Sequence, residues 1–89
     1  MKVVKIGAPW CASCIIMKPR WQEIEQENPW LETEYYDYDI NNEKLKEFNL
    51  GDDIPVFIFL DKEGNEIDRK TGELGKEEIV ELINMYKDK

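Results

Sequence analysis

The sequence predicts an α/β domain with element order β-α-β-α-β-β-α, folded as a four-stranded mixed sheet of order 2-1-3-4 with helices on both faces. Three observations carry that expectation. Short apolar runs of strand length alternate with stretches of helical period. Val56-Phe57-Ile58-Phe59-Leu60 is the most apolar run in the chain and reads as a central strand. Lys62-Glu63-Gly64-Asn65 then offers a hairpin connection to a further strand. A right-handed crossover makes the first two strands parallel, and the hairpin makes the last two antiparallel.

Taken in order, Val3 to Ile6 is a short apolar strand. A helix runs from Ala12 to about Glu27, with Met17, Trp21, Ile24 and Asn28 at helical spacing and Ile16 beside them, and Asn28-Pro29 ends it. Pro19 lies inside this helix, where it removes one backbone donor and favours a kink near the cysteines. Thr33 to Ile40 alternates as a strand, with Tyr36, Tyr38 and Ile40 on one face and Tyr35 and Asp37 on the other. Asn42 to Phe48 reads as a short helix, and Asn49-Leu50-Gly51-Asp52-Asp53 as a turn cluster. Glu66 to Thr71 follows the hairpin, and Ile79, Leu82, Ile83 and Tyr86 mark a final amphipathic helix.

Composition narrows the function. With 89 residues, 42% of them hydrophobic, the chain forms one domain, 1–89, around one modest core. Twelve Lys and Arg against twenty Asp and Glu give a net charge of −8, which opposes binding to nucleic acid or anionic lipid. No apolar run reaches the ~20 residues of a membrane span, and Met1 to Gly7 is too short for a secretory signal core, so the expected location is the cytoplasm. Cysteines there are kept reduced, which disfavours a structural disulfide.

The only two cysteines stand one helical turn apart in Trp10-Cys11-Ala12-Ser13-Cys14, directly after the first strand. A thiolate at a helix start receives unpaired N–H groups and the positive end of the helix dipole, so Cys11, at the exposed end of the helix, is the expected nucleophile. Cys14, a turn inward, can resolve a mixed disulfide within the molecule. The same spacing serves half of a zinc site, but the chain has no histidine and no third cysteine, and no metal site is expected. A purely structural bridge would close too short a loop to stabilise much. The dithiol falls at the carboxyl end of the first strand, where open α/β sheets place their sites.

These residues resemble the thioredoxin-fold family over essentially the whole chain. Trp10-Cys11-x-x-Cys14 with Pro19 five residues on resembles its active-site helix. Ile54-Pro55 ahead of a strand resembles its cis-proline, Gly64 its hairpin glycine, and Thr71-Gly72-Glu73-Leu74 the glycine segment beside its peptide groove. The resemblance implies a minimal thioredoxin fold and a thiol–disulfide oxidoreductase acting on protein disulfides. Cys11 would attack and Cys14 resolve, while Trp10, the Ile54 backbone, Pro55 and Gly72 would flank the substrate. The Cys11–Cys14 disulfide would be the sole redox group, with no bound cofactor. Electrons would come from a reductase of the thioredoxin reductase type or from a small thiol, and the protein would act as a monomer.

Several positions depart from the family pattern. The residues present do not supply the additional N-terminal strand and helix of full-length thioredoxins. Ala12-Ser13 replaces the usual Gly-Pro, and about 1.4 kcal/mol of changed interaction at the sulfurs moves a two-electron potential by about 30 mV. Gly7 stands where an aromatic residue is common. Lys5 occupies the place of a buried acid and Asp37 that of its lysine partner, so the two are expected to pair with exchanged charges beneath the active site and to tune or relay the Cys14 proton. A glutaredoxin-like, glutathione-dependent enzyme is an alternative, weakened by Glu73 after Gly72 where basic groups would be wanted. A peptide-binding module with a redox-switch cysteine pair is another.

Overall fold

A computed structural model describes residues 1–89. The elements are β1 (Lys2–Gly7), α1 (Ala12–Glu27), β2 (Glu32–Asp37), α2 (Asn42–Leu45) continued by a 3₁₀ turn (Lys46–Phe48), β3 (Val56–Leu60), β4 (Glu66–Thr71) and α3 (Lys76–Tyr86). The sheet has the order β2-β1-β3-β4, with β1 parallel to β2 and antiparallel to β3, as the sequence predicts.

Alternation along β1 and β3 divides the core into two layers. Val3, Phe57 and Phe59 face Met17, Trp21 and Ile24 of α1 and Ile79, Leu82 and Ile83 of α3. Val4, Ile6, Val56 and Ile58 face the other way, onto Leu45 of α2. Four of the five β3 residues are buried, because helices cover both faces of this strand. The β3–β4 register slips between Phe59 and Leu60, and Gly64 at φ 86° turns the hairpin.

Helix α1 ends where Asn28 directs both its backbone N–H and its side-chain amide to the Ile24 carbonyl, at 2.9 Å each. Pro19 stays within the helix. Strand β2 is shorter than expected. It stops at Asp37 because the Asp37 carboxylate accepts the N–H groups of Asp39 (2.9 Å) and Ile40 (3.0 Å), while the Asn41 side-chain oxygen accepts the Asp37 N–H. Aspartate and asparagine thus fold the backbone back on itself in place of a ladder. Ile40, expected to share a strand face with Tyr36 and Tyr38, is instead the most exposed of the large hydrophobic residues, at 80%.

The chain therefore gathers three segments at one end of the sheet: the β1–α1 junction, the Ile54-Pro55 segment ahead of β3, and the end of β4. The Gly72 N–H donates to the Pro55 carbonyl at 2.9 Å, which ties the last two together.

Candidate functional site

Cys11 is the N-cap of α1, with extended backbone angles, and its sulfur accepts the Cys14 backbone N–H at 3.3 Å. That bond satisfies one of the orphan donors of the helix start and directs a partial positive charge at the sulfur. The Cys11 thiol also reaches the Ile54 carbonyl at 3.8 Å. Both cysteines are unbonded thiols. Cys11 is not the exposed residue the sequence suggests. It is buried, at 9%, and Cys14 is the more accessible of the two, because the Ile54-Pro55 segment packs over the helix start.

Burial of the Cys14 sulfur, followed by its hydrogen bond with Cys11, pushes the Cys14 thiol up to about 11. Cys14 is thus held protonated at neutral pH.

Cys11 meets the Ile54 carbonyl, and Gly72 is tied to the same segment through its hydrogen bond to Pro55. The Ile54–Pro55 peptide is cis, and Gly72 adopts φ 85°, a left-handed conformation that favours glycine. Trp10 stands 65% exposed with its indole N–H donated to Asp39 at 2.6 Å. Nothing in the sequence marks this role for Asp39, which falls near the end of the stretch that reads as a strand and in the structure lies beyond β2. Past Gly72, the Arg20 guanidinium is engaged by the Glu73 carboxylate (3.4 Å) and the Leu74 carbonyl.

The expected pair of Lys5 with Asp37 does not form. In the parallel register Lys5 stands opposite Tyr35, and Asp37 stands opposite Gly7, two residues and thus about 6.6 Å further along the strand. Asp37 is occupied by the turn described above. The Lys5 ammonium instead meets Glu25 of α1 at 2.9 Å and lies 5.7 Å over the Trp21 ring. The second Glu25 oxygen accepts the Thr33 hydroxyl at 3.0 Å. A helical signal for this partner was present: Glu25 follows Trp21 by four residues and so shares its stripe on α1.

Beside Cys14 the surface opens into a cavity of about 680 Å³, whose wall includes Lys5, Gly7, Cys14, Trp21, Glu25 and Tyr35. Gly7 is what admits the sulfur. A Cβ at this position would lie 2.9 Å from Cys14 Sγ, 3.2 Å from Cys14 Cβ and 3.6 Å from the Tyr35 hydroxyl oxygen. Burial, then the charge of Asp37 and those of the two cysteines, push the Tyr35 phenol above its ordinary value.

A dithiol at a helix start, opposite a cis-proline and at the carboxyl end of a central parallel strand, on a four-stranded sheet of this order, defines a thioredoxin-like redox protein. The thioredoxin family profile matches residues 1–80, and the chain belongs to that family. Among its relatives is the chloroplastic thioredoxin-like protein HCF164 of Arabidopsis thaliana, 35% identical over 86 residues, which cover 92% of this chain and 32% of that one. The thioredoxin of Mycoplasmoides gallisepticum is 32% identical over 81 residues, covering 91% and 79% respectively. The chain thus spans about a third of the first relative and about four fifths of the second. Its structure is similar to that of Fasciola hepatica thioredoxin, with a TM-score of 0.84 and 30% identity, over 94% of this chain and 78% of that one.

Proposed function

We propose that the protein is a thiol–disulfide oxidoreductase that reduces protein disulfides. The observation that carries this reading is the Cys14 N–H directed at the Cys11 sulfur, which itself faces the Ile54 carbonyl ahead of a cis-proline. A backbone amide aimed at a sulfur stabilises a thiolate there. In this reading the exposed Trp10, the Ile54 backbone, Pro55 and Gly72 would receive an extended segment of a substrate polypeptide.

In the first exchange the Cys11 thiolate attacks one sulfur of the substrate disulfide. A Cys11–substrate bond forms, and the other substrate sulfur leaves as a thiolate that takes up a proton. In the second, Cys14 loses its proton and attacks Cys11. The mixed disulfide breaks, the substrate sulfur departs and is protonated, and Cys11–Cys14 is left as the disulfide. Two electrons have passed to the substrate. A reductase of the thioredoxin reductase type, or a small thiol, returns them.

This chemistry uses no bound cofactor or metal. A cytoplasmic monomer acting on protein disulfides, apart from nucleic acid and membranes, is the accompanying proposal, supported by the acidic net charge and by the absence of any helix long and apolar enough to cross a membrane. The glutathione-dependent alternative is the weaker one, because Arg20, the cation beside the Gly72 segment, is already engaged by Glu73 and the Leu74 carbonyl.

The experiment is a trap. With a disulfide-containing protein such as insulin as substrate, Cys14→Ser accumulates an adduct that mass mapping assigns to Cys11, and Cys11→Ser accumulates none. Adducts that collect on Cys14, or none with either variant, overturn the assignment.

A further inference from the structure

The second exchange requires Cys14 to lose a proton from a sulfur that is held protonated, and the surroundings of that sulfur offer few acceptors. Cys14 faces the cavity between α1, β1 and β2. The ionisable groups on its wall are Lys5 from β1, Lys18 and Glu25 from α1 and Tyr35 from β2, with Asp37 two residues beyond Tyr35 and Cys11 one helical turn away. Lys5 and Lys18 are cations with no acceptor to offer. Both Glu25 oxygens are engaged, one by Lys5 and one by the Thr33 hydroxyl. Asp37 Oδ1 holds two backbone N–H groups, and Asp37 does not line the cavity wall. Cys11 is the sulfur under attack.

Among these groups Tyr35 is the one whose oxygen is placed beside the sulfur. The Cys14 sulfur and the Tyr35 oxygen both lie within 3.6 Å of the point where a side chain at residue 7 would begin, so their separation is at most about 6.5 Å. One water bridges such a gap with two hydrogen bonds. Tyr35 is also 53% exposed, so its side chain stands at the boundary between this cavity and solvent. The arrangement depends on glycine at 7, which leaves this space open, and on the β1–β2 register, which sets Tyr35 opposite Lys5.

We propose that Tyr35 is the proton relay of Cys14. As Cys14 attacks the Cys11 mixed disulfide, its proton passes through one water to the Tyr35 hydroxyl oxygen, and the phenol releases its own proton to solvent. The phenol is unchanged at the end, and the leaving substrate thiolate collects a proton from bulk water. Tyr35 stays neutral before and after the step, consistent with the upward push on its ionisation noted above.

This inference rests on the exchange mechanism proposed above, and the test separates the two. Reduced protein is mixed in stopped flow with dithiobis(nitrobenzoate), which releases one coloured thiolate when Cys11 is modified and a second when Cys14 resolves the adduct. Tyr35→Phe deletes one oxygen from a half-exposed ring, and circular dichroism verifies its fold. The first release is expected to be unchanged. The second is expected to slow about tenfold at neutral pH, with the difference narrowing as alkaline pH ionises Cys14 directly. Glu25→Gln is expected to leave the second release within twofold of wild type. A second release of unchanged rate and pH profile in Tyr35→Phe overturns the relay, as does an equal slowing by Glu25→Gln. Absence of any first release at Cys11 overturns the exchange mechanism itself.

Discussion

Gly7→Ala tests whether the space beside Cys14 matters, and its size follows from the geometry. The new methyl would stand 2.9 Å from Cys14 Sγ and 3.2 Å from Cys14 Cβ, whereas non-bonded contacts settle at about 3.5–4.0 Å. The sulfur must retreat by roughly 0.6 Å or more. It can rotate, but the Cβ is fixed by the backbone of α1, so rotation relieves only part of the clash. Overpacking of this kind costs about 1–3 kcal/mol, and the mobility of the sulfur places this site at about 1–2 kcal/mol. For a domain of 89 residues that lowers the melting temperature by about 5–15 °C. The assay is thermal unfolding of the reduced protein followed by circular dichroism, with Gly51→Ala as control. Nothing lies within 4 Å of a Cβ at Gly51, so that variant is expected to melt no lower than wild type. Melting of Gly7→Ala within about 1 °C of wild type would refute the argument that glycine is required for the sulfur.

Three further outcomes are expected. Cys14, with its thiol near 11, is about one part in ten thousand thiolate at pH 7, so its alkylation should trail that of Cys11 and rise about tenfold per pH unit through neutrality; a plateau below pH 9, read by mass mapping, contradicts this. Burial pushes Asp68 up, but the Tyr86 hydroxyl (2.8 Å), the Arg69 N–H and Lys70 outweigh it and hold the carboxyl below its ordinary value. Stability from Asp68 is therefore complete above its unfolded value of about 3.9 and lost as pH falls through the lower folded value, and Asp68→Asn should flatten the acid limb of a urea-stability profile. Lys5→Met should lower stability by about 1 kcal/mol by leaving Glu25 half-buried and unpaired, and the double variant with Glu25→Gln should recover part of it; additive losses in denaturant melts would show that the pair is not coupled.

The strands and long helices were legible because their apolar periods are undisturbed: Val56 to Leu60 and the Met17, Trp21, Ile24 stripe sit where alternation and helical spacing put them. The end of β2 was not, because Tyr36, Tyr38 and Ile40 continue a strand pattern that the Asp37 and Asn41 side chains override with local hydrogen bonds. The dithiol was readable from its spacing, and the cis-proline and Gly72 only through the resemblance to the thioredoxin family. The partner of Lys5 was not readable from strand alternation alone. Parallel strands joined by a helix carry no turn that fixes their register, and a shift of two residues keeps every side chain on the same face, so Asp37 and Tyr35 were equally compatible with alternation. The upward push on the Cys14 thiol arises from packing around its sulfur that only the folded chain reveals.

The pairing of Lys2 with Leu60 and the hydrogen bond from the Lys62 N–H to the Lys89 carbonyl bring the first and last residues to one pole of the sheet. Cys11, Pro55 and Gly72 occupy the opposite pole. An affinity tag, a fusion partner or a surface linker joined at either end therefore starts on the far side of the domain from the dithiol, with the length of the strands between them. Immobilised through such a linker, the protein would present its reactive sulfur outward, toward whatever solution flows past.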